Sequence, residues 1–134
     1  LAKSPFFEAR RTELADQLRA FLNSWKEWLR VPEISDGAKP CWFAFPIMVA
    51  KEAPFTRDQI SVFLDAHGVE TRPILAGNIA RQPVMKYFRD IVKEELPGAD
   101  EVNDRGFYIG LSPVQEDSSM GRLKEVFKEF LKKY

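Results

Sequence analysis

The chain predicts an α+β domain in which a small, largely antiparallel sheet is covered by helices. Three observations point to this class. Apolar residues make up 45% and aromatics 13% of the 134 residues, enough to fill one core. Amphipathic stretches of helical period alternate with short aromatic or β-branched runs. Gly, Pro and Asn punctuate the junctions between them, where turns are needed. We expect one domain over 1–134, with a long leading helix over 1–30 and an α/β core over 41–134.

Ser4 followed by Pro5 marks a helix start, with a hydroxyl to cap free amides and a ring already at a helical angle. Leu14, Leu18, Phe21, Trp25 and Trp28 then recur at helical steps, which predicts a helix of about seven turns. Its tryptophans read as core or subunit packing rather than as a stacking platform. Val31 to Pro40 is a loop. Cys41 to Ala50 is an apolar run of strand character, and Pro46 within it predicts a sheet edge or a bulge. Cys41 reads as an ordinary buried thiol, since no neighbour supplies an activating base.

Phe55-Thr56-Arg57-Asp58-Gln59-Ile60 combines a capping box with a hydrophobic staple, and Gly68 is placed to end the helix it opens. His67, in the last turn, is suited to free carbonyls and the helix dipole. Val69 to Leu75 predicts a second strand. After Pro83 a short helix is expected, with Val84, Met85, Phe88, Ile91 and Val92 on one side, and a brief turn from Leu96 to Asn103. Gly106 to Leu111 predicts a third strand. Met120, Leu123, Phe127, Phe130, Leu131 and Tyr134 mark a terminal amphipathic helix whose lysines offset its dipole.

Twenty basic residues balance twenty acidic ones, so no overall charge favours nucleic acid or a membrane surface. One cysteine and one histidine make neither an intrachain disulfide nor a closed zinc site. No apolar run approaches the roughly 20 residues that span a bilayer, and Leu1 to Pro5 lacks the pattern of a secretory signal, so a cytoplasmic location is expected. A chain that opens on a helix signal without methionine is expected to be a piece of a longer protein.

The stretch with most chemistry runs from Val69 to Pro83. It leads from an extended segment through Gly77-Asn78 to Arg81-Gln82-Pro83. Arg72 and Arg81 offer planar forks suited to phosphate or carboxylate, beside the amides of Asn78 and Gln82.

These residues carry a resemblance. Gly68-Val69-Glu70-Thr71-Arg72, Gly77-Asn78-Ile79-Ala80-Arg81-Gln82-Pro83 and Gly106-Phe107-Tyr108-Ile109-Gly110-Leu111 resemble the carboxy-terminal small domain of the DegT-type sugar-nucleotide aminotransferases, which are fold-type-I pyridoxal-phosphate enzymes. Phe7 to Arg11 and Trp42 to Pro46 extend the likeness over nearly the whole chain. Within that family the residues are most similar to the branch of CDP-4-keto-6-deoxyglucose 3-dehydrases and related lipopolysaccharide-biosynthesis proteins. Ala80 stands where that branch typically has threonine and where aminotransferase relatives often have histidine.

The resemblance implies that the intact protein is a dimeric enzyme using pyridoxal or pyridoxamine phosphate on a nucleotide-linked 4-keto-6-deoxyhexose. It implies that the cofactor-bearing large domain lies outside these residues, so that this piece alone binds no cofactor and catalyses nothing. It implies substrate contact by Arg72, Asn78 and Arg81, while Gln82 and Pro83 shape the loop. None of the lysines matches the catalytic lysine's motif. The reading from a different class is a stand-alone α+β binding or interaction module, which the complete capping signals and self-sufficient core favour.

Overall fold

A computed structural model describes residues 4–88 and 94–134. Helix α1 spans Ser4–Leu22, α2 Arg57–Ala66, α3 Pro97–Arg105 and α4 Asp117–Leu131. Strands β1 (Leu29–Arg30), β2 (Ala44–Val49), β3 (Thr71–Pro73) and β4 (Gly106–Gly110) form one sheet in the order β1-β2-β4-β3. Every pairing is antiparallel. The fold is α+β, as the alternation of periods predicts.

Alternate residues of β2 divide the sheet's faces. Phe45, Ile47 and Val49 are fully buried, and with Phe107 and Ile109 of β4 they meet Leu14, Leu18 and Leu22 of α1, Ile60 and Leu64 of α2, and Phe127, Phe130 and Leu131 of α4. Pro46 and Met48 point the other way, where α3 covers part of the sheet and a broad open groove of about 1150 Å³ remains, with Val31, Ile34 and Ile74 among its walls. No helix among the described residues is long and apolar enough to cross a membrane.

Local signals act where they were read. Thr56 accepts from the Gln59 amide at 3.2 Å while the Gln59 side chain accepts from the Thr56 amide at 2.7 Å, and Phe55 and Ile60 are both buried beside this cap. Gly68 takes φ +80°, and His67 Nδ1 lies 2.7 Å from the Phe63 carbonyl oxygen.

Other expectations are corrected. The leading helix does not run to residue 30; α1 ends at Leu22, a tight turn covers Asn23–Trp25, and Leu29–Arg30 become an edge strand. The apolar spacing continues because Trp25 and Trp28 pack on the same core after the helix has stopped, their rings 5.6 Å apart. Ser4 lies inside α1, where its hydroxyl bonds to Glu8 at 2.9 Å. The strand with Pro46 lies inside the sheet and is not bulged, but β1 pairs only with Met48 and Val49. Pro46 therefore faces a partner strand on one side alone, at Tyr108, and its missing donor is tolerated as at an edge.

Cys41 is exposed, not buried, because β2 begins only at Ala44 and Trp42 takes the interior position. The helix expected after Pro83 is a tighter five-residue turn over Pro83–Tyr87, and Val84 within it and Phe88 just after it are exposed; Ile91 and Val92 lie outside the described residues. The brief turn expected at 97–103 is the full helix α3.

Candidate functional site

Strand β3 carries the chain from its pairing with β4 into a turn closed by the Gly77 amide on the Ile74 carbonyl at 2.9 Å. Two successive residues there have positive φ, Ala76 at +26° and Gly77 at +57°. For alanine that geometry is strained, and the loop around it must supply compensating bonds.

Asn78 supplies several of them. Its Oδ1 accepts from the Ala80 amide at 2.9 Å and caps the tight turn Ile79–Arg81. Its Nδ2 donates to Asp100 Oδ1 at 2.8 Å, and its backbone amide points at Asn103 Oδ1 at 3.4 Å. Only 3% of the residue is exposed, and it is the one polar residue among the fully buried side chains described. Gln82 closes the loop by donating from Nε2 to the Ala76 carbonyl at 3.2 Å, the shaping role expected of it.

Arg81, at the end of the turn, donates through Nη1 to Asp104 at 2.7 Å and to Asp100 at 3.3 Å. Asp104 also accepts from Asn103 Nδ2 at 2.8 Å. The bond to Asp104, followed by the charges of both carboxylates, raises the guanidinium above its ordinary pKa. The bonds from Asn103 and Arg81, in that order, hold the Asp104 carboxyl below the usual aspartate range. Arg57 extends the network by donating from Nη1 to the Asn103 carbonyl at 2.5 Å, joining the start of α2 to the end of α3.

The structure thus brings Asn78 and Arg81 together on α3, at a cavity of about 480 Å³ walled by Ala80, Glu94, Glu95, Leu96, Asp100 and Asp104. Arg72 is not part of that wall. It sits opposite Tyr108 in the sheet, is largely exposed, and pairs with Glu70 beside a separate groove of about 460 Å³ that Arg122 also lines. Sequence reasoning missed Asp100, Asn103 and Asp104. Their spacing of three and four residues puts them on one helix face, which would have marked them had the segment been read as a helix.

Among the described residues no lysine is placed as a Schiff base to pyridoxal phosphate requires. A Schiff-base lysine needs a desolvated cavity, whereas every described lysine is exposed or half-buried. Among the described residues no group of histidine, cysteine and carboxylate side chains is placed to hold a metal ion. Leu75, Ile79, Val84, Tyr87 and Phe88, all exposed, surround the loop with apolar surface.

Comparison with known proteins gives this arrangement a family. The chain is 31% identical over 125 residues to the lipopolysaccharide biosynthesis protein RfbH of Salmonella typhimurium, covering 93% of this chain and 28% of that protein. It is 32% identical over 105 residues to dTDP-4-dehydro-2,6-dideoxy-D-glucose 3-dehydratase of Saccharopolyspora spinosa, covering 78% of this chain and 23% of that one. The solved structure of Escherichia coli GDP-4-keto-6-deoxy-D-mannose-3-dehydratase with bound hydrated pyridoxal phosphate superposes with a TM-score of 0.77 at 28% identity, over 94% of this chain and 32% of that one. The chain therefore spans about a third or less of the relatives it matches. The model of the DegT/DnrJ/EryC1/StrS aminotransferase family matches residues 1–128, and the chain belongs to that family.

Proposed function

We propose that the chain is the carboxy-terminal small domain of a pyridoxal- or pyridoxamine-phosphate enzyme that acts on a nucleotide-linked 4-keto-6-deoxyhexose, as a 3-dehydratase or an aminotransferase. The observation that carries this reading is the likeness, over 94% of the chain at 28% identity, to GDP-4-keto-6-deoxy-D-mannose-3-dehydratase with bound hydrated pyridoxal phosphate. The cofactor, bound by the part of the enzyme beyond these residues, supplies the electron sink for the sugar's chemistry. The residues present here bind and orient.

Arg81 presents its guanidinium at the cleft. Asn78 holds the loop in place and has one amide hydrogen left for a ligand. Arg72 reaches substrate from the sheet face, on the other side of β3. The apolar side chains from Leu75 to Phe88 need a cover, which the large domain and the second subunit of a homodimer provide in this reading.

The test is made on the intact protein encoded with this chain. Purified protein should carry the absorbance of a B6 cofactor and convert a GDP-, CDP- or dTDP-linked 4-keto-6-deoxyhexose, and Arg81→Ala should lower kcat/KM about tenfold or more. A cofactor-free protein that turns over none of these sugars would overturn the reading and leave the interaction module in its place.

A further inference from the structure

The surroundings of Arg81 decide what kind of group it can meet. Asp100 and Asp104 bond to its guanidinium, and Glu94 and Glu95 stand in the same wall, so among the described residues one cationic side chain shares the cavity with these carboxylates. Among the described residues both bonds go to Nη1, and this single-nitrogen anchoring leaves the edge formed by Nε and Nη2 to a ligand. The carboxylates are not gathered closely enough to hold a metal ion, so no cation of that kind offsets them among the described residues.

A phosphate is a poor match for this wall. It brings negative charge against the excess of carboxylates among the wall's described residues, and its acceptor-only oxygens meet acceptor-only carboxylates. A sugar ring is a good match, because each hydroxyl both donates and accepts. Vicinal hydroxyls can donate to Glu94 or Glu95 and accept from the open edge of Arg81. Such a ring adds hydrogen bonds to the wall without importing charge.

We infer that the cavity of Asn78 and Arg81 takes the neutral hexose end of the nucleotide-sugar substrate and not its diphosphate, with Asp100 and Asp104 as positioning residues that fix the guanidinium through Nη1. This rests on the reading of the chain as part of a sugar-nucleotide enzyme and names the half of the substrate that this site reads. It also gives α3 a role: the helix holds the loop's arginine by one corner.

The test compares two ligands on the intact holoenzyme. One is the ketosugar nucleotide that it turns over, measured by kcat/KM; the other is the matching nucleoside diphosphate alone, measured by its inhibition constant. Arg81→Lys keeps the charge but loses the fork. It should lower kcat/KM about tenfold or more and leave the inhibition constant of the nucleoside diphosphate within about twofold. Asp104→Asn should lower kcat/KM about three- to tenfold with the same unchanged inhibition constant, an asymmetry that general loosening of the fold does not produce. Thermal midpoints of both variants are checked against wild type, and Asp100→Asn replaces either one that is unfolded. A parallel weakening of nucleoside diphosphate binding would place the phosphates at Arg81 and overturn this assignment alone. Absence of any ketosugar turnover by wild type would overturn the proposed function and this assignment with it.

Discussion

Gly77 and Asn103 are packed so closely that a Cβ on the glycine would lie 3.0 Å from Asn103 Cγ and overlap its Oδ1. The loop with Asn78 and Arg81 is thus pressed onto α3 at a point where a Cβ would displace the Asn103 side chain from its bonds to the Asn78 amide and Asp104. Gly77 also takes φ +57°, which costs an L side chain about 1–2 kcal/mol by itself. Gly77→Ala should destabilise the domain by about 2–3 kcal/mol in urea or thermal unfolding. An unchanged midpoint would mean that the loop is free to lift from α3.

Asn78→Ala removes the cap of the Ile79–Arg81 turn and leaves the Ala80 amide without its partner in a half-buried setting. The expected loss is about 1–3 kcal/mol, read from denaturant midpoints. Hydrogen exchange should quicken first at Ala80 and Arg81, while amides of β2 and β4 exchange more slowly.

The lowered pKa of Asp104 makes the anchoring of Arg81 pH-dependent, and the sign follows from linkage. A carboxyl more acidic in the folded state than in the unfolded chain binds fewer protons when folded. Its contribution is complete above the ordinary aspartate value of about 3.9 and is lost as pH falls through the lower folded value. The stability difference between wild type and Asp104→Asn should therefore be constant at neutral pH and shrink below about pH 4. Unfolding curves collected from pH 7 downward measure it.

Phe127 is fully buried and sets its ring edge-on to Phe21 at 6.3 Å between centroids, in the layer where α4 meets the sheet. Phe127→Ala should cost about 3–5 kcal/mol. Phe43→Ala, at a ring 71% exposed, should change stability by no more than about 0.5 kcal/mol. Comparable losses at both positions would contradict the layering.

What could be read from the sequence depended on how far each signal had to reach. The capping box of Thr56 and Gln59, the left-handed Gly68 and the strand at 106–110 are set by neighbours in the chain, and the structure contains them. The end of α1 is set by tertiary packing. Trp25 and Trp28 keep helical spacing although the backbone has turned to form β1, so periodicity alone overran the boundary at Leu22.

The site follows the same division. Asn78 and Arg81 could be picked out as residue types, but their partners Asp100 and Asp104 lie some 20 residues away, on a helix that reads as a mere turn after Leu96-Pro97-Gly98. A loop that looks poised for an anion in sequence proves to be lined with carboxylates once the chain is folded.

The sheet's two margins have a consequence for how any partner can attach. β1 is only two residues long, and β3 is three residues long and ends in Pro73, which has no amide hydrogen to offer. These two strands offer only short rows of amides and carbonyls to a foreign strand, and beyond β1 the free edge of β2 is interrupted by Pro46, which has no amide hydrogen. A strand added at either margin would gain few ladder bonds, which makes continuation of the sheet an unfavourable way for a partner to attach.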